Sequence, residues 1–280
     1  MTSAPVNRVI DASVVDGPGN RTVFFLQGCN YRCLYCHNPE TQNLCCGCGR
    51  CVAECPQGAI RISDGRTIWD AERCVTCDHC IRICPHHSSP RAVWKTAADC
   101  ALLAEANRPF IRGITVSGGE CTLYPEFLME LFERTQMIGL SNLIDSNGSY
   151  PFYDSEYLLE NCQGVMLDIK AWGALEYQQV TGAVRPHIPK NVMYLYEAGK
   201  LEELRIVVEM NRVDAAAILE GLKDAIPFGA RKSIPLRLIA YRPFGVDRAY
   251  ARQLQAPSES ELDALAAMAL QMGWEKCFRT

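Results

Sequence analysis

The stretch VFFLQGCNYRCLYCHNPET, residues 23–41, joins a short apolar run to three closely spaced cysteines. The run has the length and composition of a buried strand, and Cys29, Cys33 and Cys36 follow it in a C-x3-C-x2-C pattern. Three thiolates in one loop predict three ligands of a [4Fe-4S] cluster whose fourth iron is open to a small molecule. A zinc site closed by His37 is the alternative, because C-x2-C pairs are common in zinc modules.

Five further apolar runs follow this first strand, and segments with apolar residues near a 3.6-residue period separate them. Strands of this kind alternating with helices predict a parallel sheet covered by helices. Six such units predict an α/β protein, a partial (β/α)6 TIM-like barrel formed by residues 1–42 and 93–280. The predicted strands are 23–28, 114–119, 140–146, 165–170, 204–210 and 234–241.

Residues 43–92 interrupt this rhythm with two copies of one cysteine pattern, 29 residues apart, each ending in Cys-Pro. The double run predicts an inserted bacterial-ferredoxin-like domain with two [4Fe-4S] clusters, in which the fourth cysteine of each run ligates the other cluster. A zinc ribbon is the alternative, but it does not need the third cysteine step. Cys46 competes with Cys45 for the first position by a register shift of one residue. The predicted ligands are Cys45, Cys48, Cys51 and Cys84 for one cluster, and Cys74, Cys77, Cys80 and Cys55 for the other.

Composition and charge exclude several classes of protein. The chain has 280 residues, 28 basic and 32 acidic, for a net charge of −4, with no run of Lys and Arg to follow a phosphate backbone. Its 16 cysteines are clustered as metal ligands are, rather than spread as a disulfide framework in a short secreted chain. No apolar secretion segment and no membrane-length apolar stretch is visible. The sequence therefore predicts a cytoplasmic protein that binds neither nucleic acid nor membrane.

The motifs and their flanks resemble a known family. C-x3-C-x2-C after the first strand of a βα barrel is similar to the signature of radical S-adenosylmethionine (SAM) enzymes. The flanks resemble the opening of glycyl-radical-enzyme activating enzymes, and the compact double-cluster insertion resembles the YjjW-type branch. These flanks are Asp16-Gly17-Pro18-Gly19-Asn20-Arg21-Thr22, Leu26-Gln27-Gly28-Cys29 and Cys36-His37-Asn38-Pro39-Glu40-Thr41.

The resemblance implies a function. It implies that the open iron chelates SAM and that one electron cleaves SAM to methionine and a 5′-deoxyadenosyl radical. That radical would abstract a hydrogen from a glycine of a larger glycyl radical enzyme. The implied cofactors are three [4Fe-4S] clusters, SAM and a monovalent cation. The implied partners are the glycyl radical enzyme and an electron donor such as flavodoxin or ferredoxin, with the activase itself a monomer.

The resemblance also implies site residues, most of them at strand carboxyl ends, which is the catalytic face of a barrel. Asp145 and Asp168 would hold the cation, and Asp16 would help dock the partner's glycine loop. Relatives often carry a histidine at the position of Arg242, so this residue departs from the family pattern. The implied SAM-binding residues are Tyr35, Cys36, His37, Gly118, Gly119, Glu120, Asp168, Ile169, Lys170, Arg205 and Arg242.

Two other functions are compatible with parts of the sequence. A radical SAM enzyme of the sulfatase-maturing type shares the first cysteines, but it keeps its auxiliary cysteines in a C-terminal extension. Here only Cys277 lies beyond Cys162. A ferredoxin-like electron carrier explains the insertion but not the cysteines at 29–36 or the motifs at 117–120 and 168–170. Formation of 5′-deoxyadenosine separates the carrier from either enzyme.

Overall fold

A computed structural model of the chain describes residues 1–184 and 187–280. Across those residues the strands form one sheet of nine and one hairpin of two. In chain order the strands are β1 (Ser3–Ser13), β2 (Arg21–Leu26), β3 (Ile60–Ser63), β4 (Arg66–Trp69), β5 (Val93–Thr96), β6 (Gly113–Gly118), β7 (Ser141–Ser146), β8 (Gly164–Asp168), β9 (Leu201–Val208), β10 (Leu236–Ala240) and β11 (Cys277–Arg279).

Helices connect the strands. Two of the longer ones begin with capping boxes, Thr96 with Asp99 and Ser258 with Glu261, in which each side chain satisfies a free backbone N–H of the first turn. None of the described helices combines the length and apolar composition needed to span a bilayer. The helices are α1 (Arg50–Ala53), α2 (His79–Arg82), α3 (Ala97–Asn107), α4 (Pro125–Met137), α5 (Glu156–Glu160), α6 (Ala174–Thr181), α7 (Ile188–Glu197), α8 (Ala215–Ala225), α9 (Phe228–Arg231), α10 (Arg248–Ala251) and α11 (Glu259–Gln271).

The centre of the sheet is the row β2-β6-β7-β8-β9-β10, in which every strand is parallel to its neighbour. Each of these six strands overlaps one of the six predicted from apolar runs. The predicted α/β class and parallel sheet are therefore confirmed. Parallel strands need crossover connections, and helices provide them here.

The sheet curls into an open barrel. The ring Nε2 of His37, in the loop after β2, lies 3.0 Å from the backbone oxygen of Arg242, just after β10. A Cβ added to Gly245 would lie 2.3 Å from the backbone oxygen of His37, so the two loops are in direct contact. Because β2 and β10 are the two ends of this six-strand row, their carboxyl ends meet only if the row curves. Among the described residues, the edge strands β5 and β11 are not hydrogen-bonded to each other.

Two strands, β1 and β5, extend the sheet beyond β2 and were not predicted. β1 pairs antiparallel with both β2 and β5, and so extends the sheet beyond the parallel row. β1 lacks a continuous apolar run because only Ala4, Pro5, Val6 and Ser13 are buried along its eleven residues. Its pairing with β2 is irregular between Val6 and Arg8. An edge region with this composition gives no strand signal in the sequence.

The two faces of the sheet differ in chemistry. Alternate residues of β6 point to opposite sides, and Ile114 and Val116 pack into the main apolar core under the helices. Thr115 and Ser117 face the other side, where they donate to the backbone oxygen of Asp16 and to the carboxylate of Asp145. The inside of the open barrel is therefore polar, which suits a charged ligand.

The insertion is a compact loop unit around the hairpin β3–β4. Asp64 and Gly65 form its two-residue turn with φ values of 50° and 72°, the left-handed geometry that favours Asp-Gly in tight hairpins. Asn43 bridges to Ser88, so the chain enters and leaves the unit at neighbouring points. The division into residues 43–92 and the remainder stays a prediction.

Candidate active site and cluster sites

Residues 29–36, here called the cluster loop, follow β2 and carry the first three cysteines. Backbone hydrogen bonds hold the loop on one side to the end of α6, where Arg32 N donates to Thr181 O at 2.8 Å and Leu34 N to Val180 O at 3.0 Å. On the other side, Cys29 N donates to Gln42 O at 2.9 Å. The backbone therefore fixes the positions from which the thiols project.

The three thiols of the cluster loop are half-buried. Burial raises the pKa of Cys29 to about 11 and that of Cys33 to about 12, and it also raises the pKa of Cys36. Thiols with such pKa values are protonated at neutral pH until a metal binds. Cluster assembly must therefore release protons, as expected for thiolate ligands.

The glycines of the Ser117-Gly118-Gly119-Glu120 motif allow the backbone to approach β2 closely. A Cβ on Gly118 would lie 2.2 Å from the Leu26 backbone, and Gly118 has a φ of 119°. A Cβ on Gly119 would lie 2.0 Å from Gly28 O and 2.8 Å from Thr41 O. Both glycines are thus required by the chain's own backbone beside the cluster loop, whatever they contact in a ligand.

We expect Gly119→Ala to lower the free energy of unfolding by about 2–3 kcal/mol, because the new methyl group overlaps two backbone oxygens. Displacement of Gly28 also moves Cys29, so the iron bound after reconstitution should fall. Gly229→Ala is the matched control, since a Cβ there meets no atom within 4 Å. Urea unfolding and iron analysis measure both effects, and equal behaviour of the two variants would contradict the steric account.

Glu120 has a structural role that the sequence did not predict. Its side chain is buried, and Oε1 accepts from Thr122 N, Thr122 Oγ1 and Ser146 Oγ, while Oε2 accepts from Asn147 N at 2.7 Å. Asn147 in turn donates to Asn30 Oδ1 at 3.0 Å and lies 3.9 Å from Cys29 Sγ. Glu120 therefore joins the end of β7 to the cluster loop, and its predicted contact with SAM stays a prediction.

The Asp168-Ile169-Lys170 triplet divides between the site and the core. Lys170 Nζ donates to Asp168 Oδ2 at 2.7 Å and lies 5.8 Å from the centre of the Tyr35 ring. Burial by itself would lower the pKa of Lys170. The charge of Asp168, together with Tyr35 and Cys33, outweighs burial and raises the pKa well above its usual value, so the amine stays charged. The Ile169 side chain lies in the apolar core.

Tyr35 brings a polar group to the same place. Its side chain is buried, and its hydroxyl has no hydrogen-bond partner among the described residues. Burial raises the pKa of this hydroxyl, so it is neutral and available as a donor. A buried hydroxyl without a partner costs free energy, which a bound ligand could recover.

A network of buried charges crosses the barrel interior. Arg205 donates to Asp145 Oδ1 at 3.0 Å and to Glu203 Oε1 at 2.5 Å, and Arg237 also donates to Glu203. The three carboxylates Asp145, Asp168 and Glu203 outweigh the effect of burial and raise the pKa of Arg205. Burial raises the pKa of Asp145 although Arg205 acts against it. Arg205 thus has protein partners on two strands and remains next to the predicted SAM residues.

His37 and Arg242 meet through the backbone of Arg242. The imidazole of His37 contacts the Arg242 carbonyl and stacks on Tyr241, with ring centres 6.3 Å apart. Burial lowers the pKa of His37, so the ring is neutral at pH 7. The Arg242 side chain itself is exposed at the barrel rim.

Asp16 lies before β2, whereas the cluster loop follows it. Asp16 Oδ2 accepts from Ser13 Oγ at 2.5 Å, and its backbone oxygen accepts from Thr115 Oγ1 inside the barrel. Arg21, buried at the start of β2, donates to Pro18 O and holds this loop. The structure therefore places Asp16 near the start of β2 and the cluster loop after its end.

Two cavities in the insertion gather the cysteines of the double run. Each contains the fourth cysteine of the opposite run, as the crossed assignment predicts, and Cys80 lies in the wall between them. Neighbouring thiols and burial raise the pKa of Cys51 to about 11, burial being the larger cause. One cavity is lined by Cys45, Cys46, Cys48, Cys51 and Cys84, and the other by Cys55, Cys74, Cys77 and Cys80.

The two runs also share an unusual backbone conformation. Gly47 and Gly49 have φ values of 68° and 76°, and the corresponding residues of the second run, Thr76 and Asp78, have φ values of 52° and 58°. Residues other than glycine rarely adopt this left-handed region. The second run therefore keeps the backbone conformation of the first, although this conformation is strained at Thr76 and Asp78. This indicates that the required positions of the thiols determine the backbone conformation of both loops.

Comparisons with known proteins agree with this arrangement. Residues 44–88 match the family model described as a 4Fe-4S dicluster domain. The benzylsuccinate synthase activating enzyme of Thauera aromatica is 30% identical over 83% of this chain and 77% of its own length. The choline trimethylamine-lyase activating enzyme of Oleidesulfovibrio alaskensis is 30% identical over 84% of this chain and 83% of its own length. The chain belongs to the glycyl-radical-enzyme activating enzymes.

A solved structure agrees with the fold of this activating enzyme. SuiB of Streptococcus suis, bound to the precursor peptide SuiA, superposes with a TM-score of 0.55 and 14% identity over 92% of this chain and 48% of that one. At that identity the likeness concerns the fold alone. The predicted family, and with it radical SAM activation of a glycyl radical enzyme, is confirmed, while assignment to the YjjW-type branch stays a prediction.

Sequence reasoning missed two residues of the activating enzyme's site. Asn147 touches the cluster loop, and its only sequence signal is that it directly follows the predicted strand 140–146. Glu203 accepts hydrogen bonds from two arginines, but in the sequence it is one of two consecutive acids, Glu202 and Glu203, just before the predicted strand and gives no signal of its own. Both depend on contacts between strands that no local pattern specifies.

Proposed function

We propose that the cluster loop holds an open-site [4Fe-4S] cluster through Cys29, Cys33 and Cys36, and that SAM binds there at the barrel mouth. The observation that supports this most is the position of the loop among three other strand ends. Asn147 after β7 and Lys170 after β8 contact it, and Arg242 after β10 contacts His37, the next residue along the chain. Thiols, a buried ammonium group and an unpartnered hydroxyl thus converge on one side of the barrel.

A cluster held by Cys29, Cys33 and Cys36 would supply the electron that cleaves SAM to methionine and a 5′-deoxyadenosyl radical, and this radical would take a hydrogen atom from a glycine Cα of the partner. The chain's own residues bind and orient. Lys170, fixed by Asp168, presents a positive charge beside Cys33 and favours the thiolate forms there. Tyr35 offers a neutral hydroxyl to the ligand, and its buried ring helps to exclude water.

The remaining predicted SAM residues have different positions in this proposal. Backbone groups of Gly118 and Gly119 border the ligand, and Arg242 reaches it from the exposed rim. His37 positions the loop after β10 through its contact with the Arg242 carbonyl. Arg205 contributes a positive charge inside the barrel, where it pairs with Asp145 and Glu203. Glu120 acts indirectly, because protein donors occupy both of its oxygens.

The monovalent cation is not part of the proposed cofactor set. Asp145 already pairs with Arg205 and Asp168 with Lys170, at 3.0 and 2.7 Å. A metal ion between the two carboxylates would have to compete with both side chains. Fixed protein cations thus supply the charge that a metal ion would bring.

The insertion is proposed to carry two further [4Fe-4S] clusters, for a total of three, and to relay electrons. Cys45, Cys48 and Cys77 are exposed, so an external donor such as flavodoxin or ferredoxin can reach the insertion. A cleft of about 1170 Å³ separates the insertion from the barrel, with Cys84 on one side and His37 on the other. Across this cleft the insertion faces residues 37–41, which follow the cluster loop. The proposal also includes that the protein is a cytoplasmic monomer and that Asp16 helps to dock the glycine loop of the partner.

The test is to incubate the anaerobically reconstituted protein with reductant, SAM and a panel of candidate glycyl radical enzymes. The proposal predicts 5′-deoxyadenosine by chromatography and a glycyl doublet by EPR with one candidate, which identifies the partner. An electron carrier would produce no 5′-deoxyadenosine. Its formation without a glycyl signal from any candidate would favour the enzyme that modifies another peptide.

A further inference from the structure

The cavity of the first cysteine run contains a thiol that the cluster pattern does not use. Four cysteines complete a [4Fe-4S] site, yet Cys46 lines this cavity together with the four assigned ligands. Cys46 Sγ, Cys48 Sγ and a ring nitrogen of His86 lie within 4.8 Å of one another. Cys46 is therefore among metal-ligating groups rather than facing away from them.

The backbone explains how two consecutive cysteines reach one cavity. Gly47 has a φ of 68°, and a Cβ there would lie 2.4 Å from the backbone oxygen of Gly65, so the chain turns back tightly against the hairpin. Cys45 Sγ lies 3.2 Å from Thr67 Oγ1, while Cys46 lies on the side of Cys48. Both residues are exposed, which leaves their side chains free to rotate toward the cavity.

The second cavity has no spare thiol among the described residues that line it, although Asp78 and His79 also line it. Its thiols are the four assigned ones, and the position equivalent to Cys46, 29 residues later, is Val75, which is 58% exposed. The two loops share their left-handed backbone positions, although they also differ at Gly47/Thr76, Gly49/Asp78 and Arg50/His79. The second loop is therefore a comparison that lacks a second cysteine at this position.

We propose that Cys46 is a second ligand for the position of Cys45, so that either thiolate completes the first cluster of the insertion. Exchange breaks the iron–sulfur bond to Cys45 and forms one to Cys46. The incoming thiol loses a proton and the outgoing thiolate gains one, without any change of oxidation state. The proposal rests on the cluster assignment under the proposed function, and it predicts that only the first cluster survives loss of its leading cysteine.

The experiment compares iron, acid-labile sulfide and the EPR of the reduced full-length protein after anaerobic reconstitution. Cys45→Ala and Cys46→Ala should each keep the wild-type iron content. Cys74→Ala, and the double variant Cys45→Ala with Cys46→Ala, should each lose about four irons per chain. Adding Val75→Cys to Cys74→Ala should restore the lost cluster.

Loss of the same iron by Cys45→Ala as by Cys74→Ala, with three clusters in the wild type, would overturn the proposal and leave the cluster assignment intact. A wild-type protein that binds no clusters in the insertion would overturn the assignment itself and this inference with it. Retention of the open-site cluster signal in each variant shows that the chain has folded.

Discussion

Cys33→Ala is expected to reduce SAM cleavage more than about a hundredfold, because a thiolate that holds one iron of the open-site cluster is removed. Cys33 projects from the middle of the cluster loop, and the flanking residues Arg32 and Leu34 are both hydrogen-bonded to the end of α6. Neighbouring side chains therefore cannot shift to replace the lost thiolate. The measurement is the rate of 5′-deoxyadenosine formation with a chemical reductant, together with iron content.

Cys100→Ala is the matched control for this prediction. Cys100 is a fully buried thiol of α3 in the apolar core, and its removal deletes one sulfur atom without touching a proposed ligand. This variant should keep its iron and its SAM cleavage, with a loss of about 1 kcal/mol or less in unfolding free energy. Cleavage by Cys33→Ala at the rate of Cys100→Ala would show that the first cluster is held elsewhere.

Arg205→Met is expected to lower the free energy of unfolding by about 3–5 kcal/mol, because it leaves buried carboxylates without their main cation. The Arg205 side chain is 11% exposed, and its partners Asp145 and Glu203 are 17% and 10% exposed. SAM should also bind more weakly, since Asp145 is then free to pair with Lys170 and draw it from Asp168. Urea unfolding and the dependence of the cleavage rate on SAM concentration measure the two effects.

Arg237→Met provides the comparison, because Arg237 also pairs with Glu203 but is 29% exposed. Its loss leaves Glu203 bound to Arg205, so the expected cost is about 1 kcal/mol and SAM binding should not change. If the two variants lose equal stability, the depth of burial does not determine the strength of this network.

The parallel strands could be predicted from sequence because most of their residues are buried and read as apolar runs. β1 could not, since it lies toward an edge and buries few side chains. β11 was missed for a similar reason, as its three residues are largely exposed. The hairpin β3–β4 did carry a signal, Asp64-Gly65, between strands too short to recognise alone.

The cluster ligands could be predicted because their spacing along the chain is itself the chemical requirement. The charge network could not, because strand register sets it: Arg237 lies opposite Arg205 in the pairing of β10 with β9, and both reach Glu203. The position of Glu120 depends in the same way on Ser146 and Asn147 at the end of the next strand. Spacing within a loop is therefore readable from the sequence, whereas contacts between strand ends require the fold.

Transfer of a glycine hydrogen to SAM-derived 5′-deoxyadenosine is the most direct test of the central claim. The measurement uses a partner glycyl radical enzyme, identified by the EPR screen, that is labelled with α-deuterated glycine. We predict one deuterium in the 5′-deoxyadenosine by mass spectrometry and collapse of the glycyl EPR doublet, because the remaining α-hydrogen that splits the signal is replaced. Unlabelled 5′-deoxyadenosine, formed while the partner shows no glycyl radical, would contradict the account.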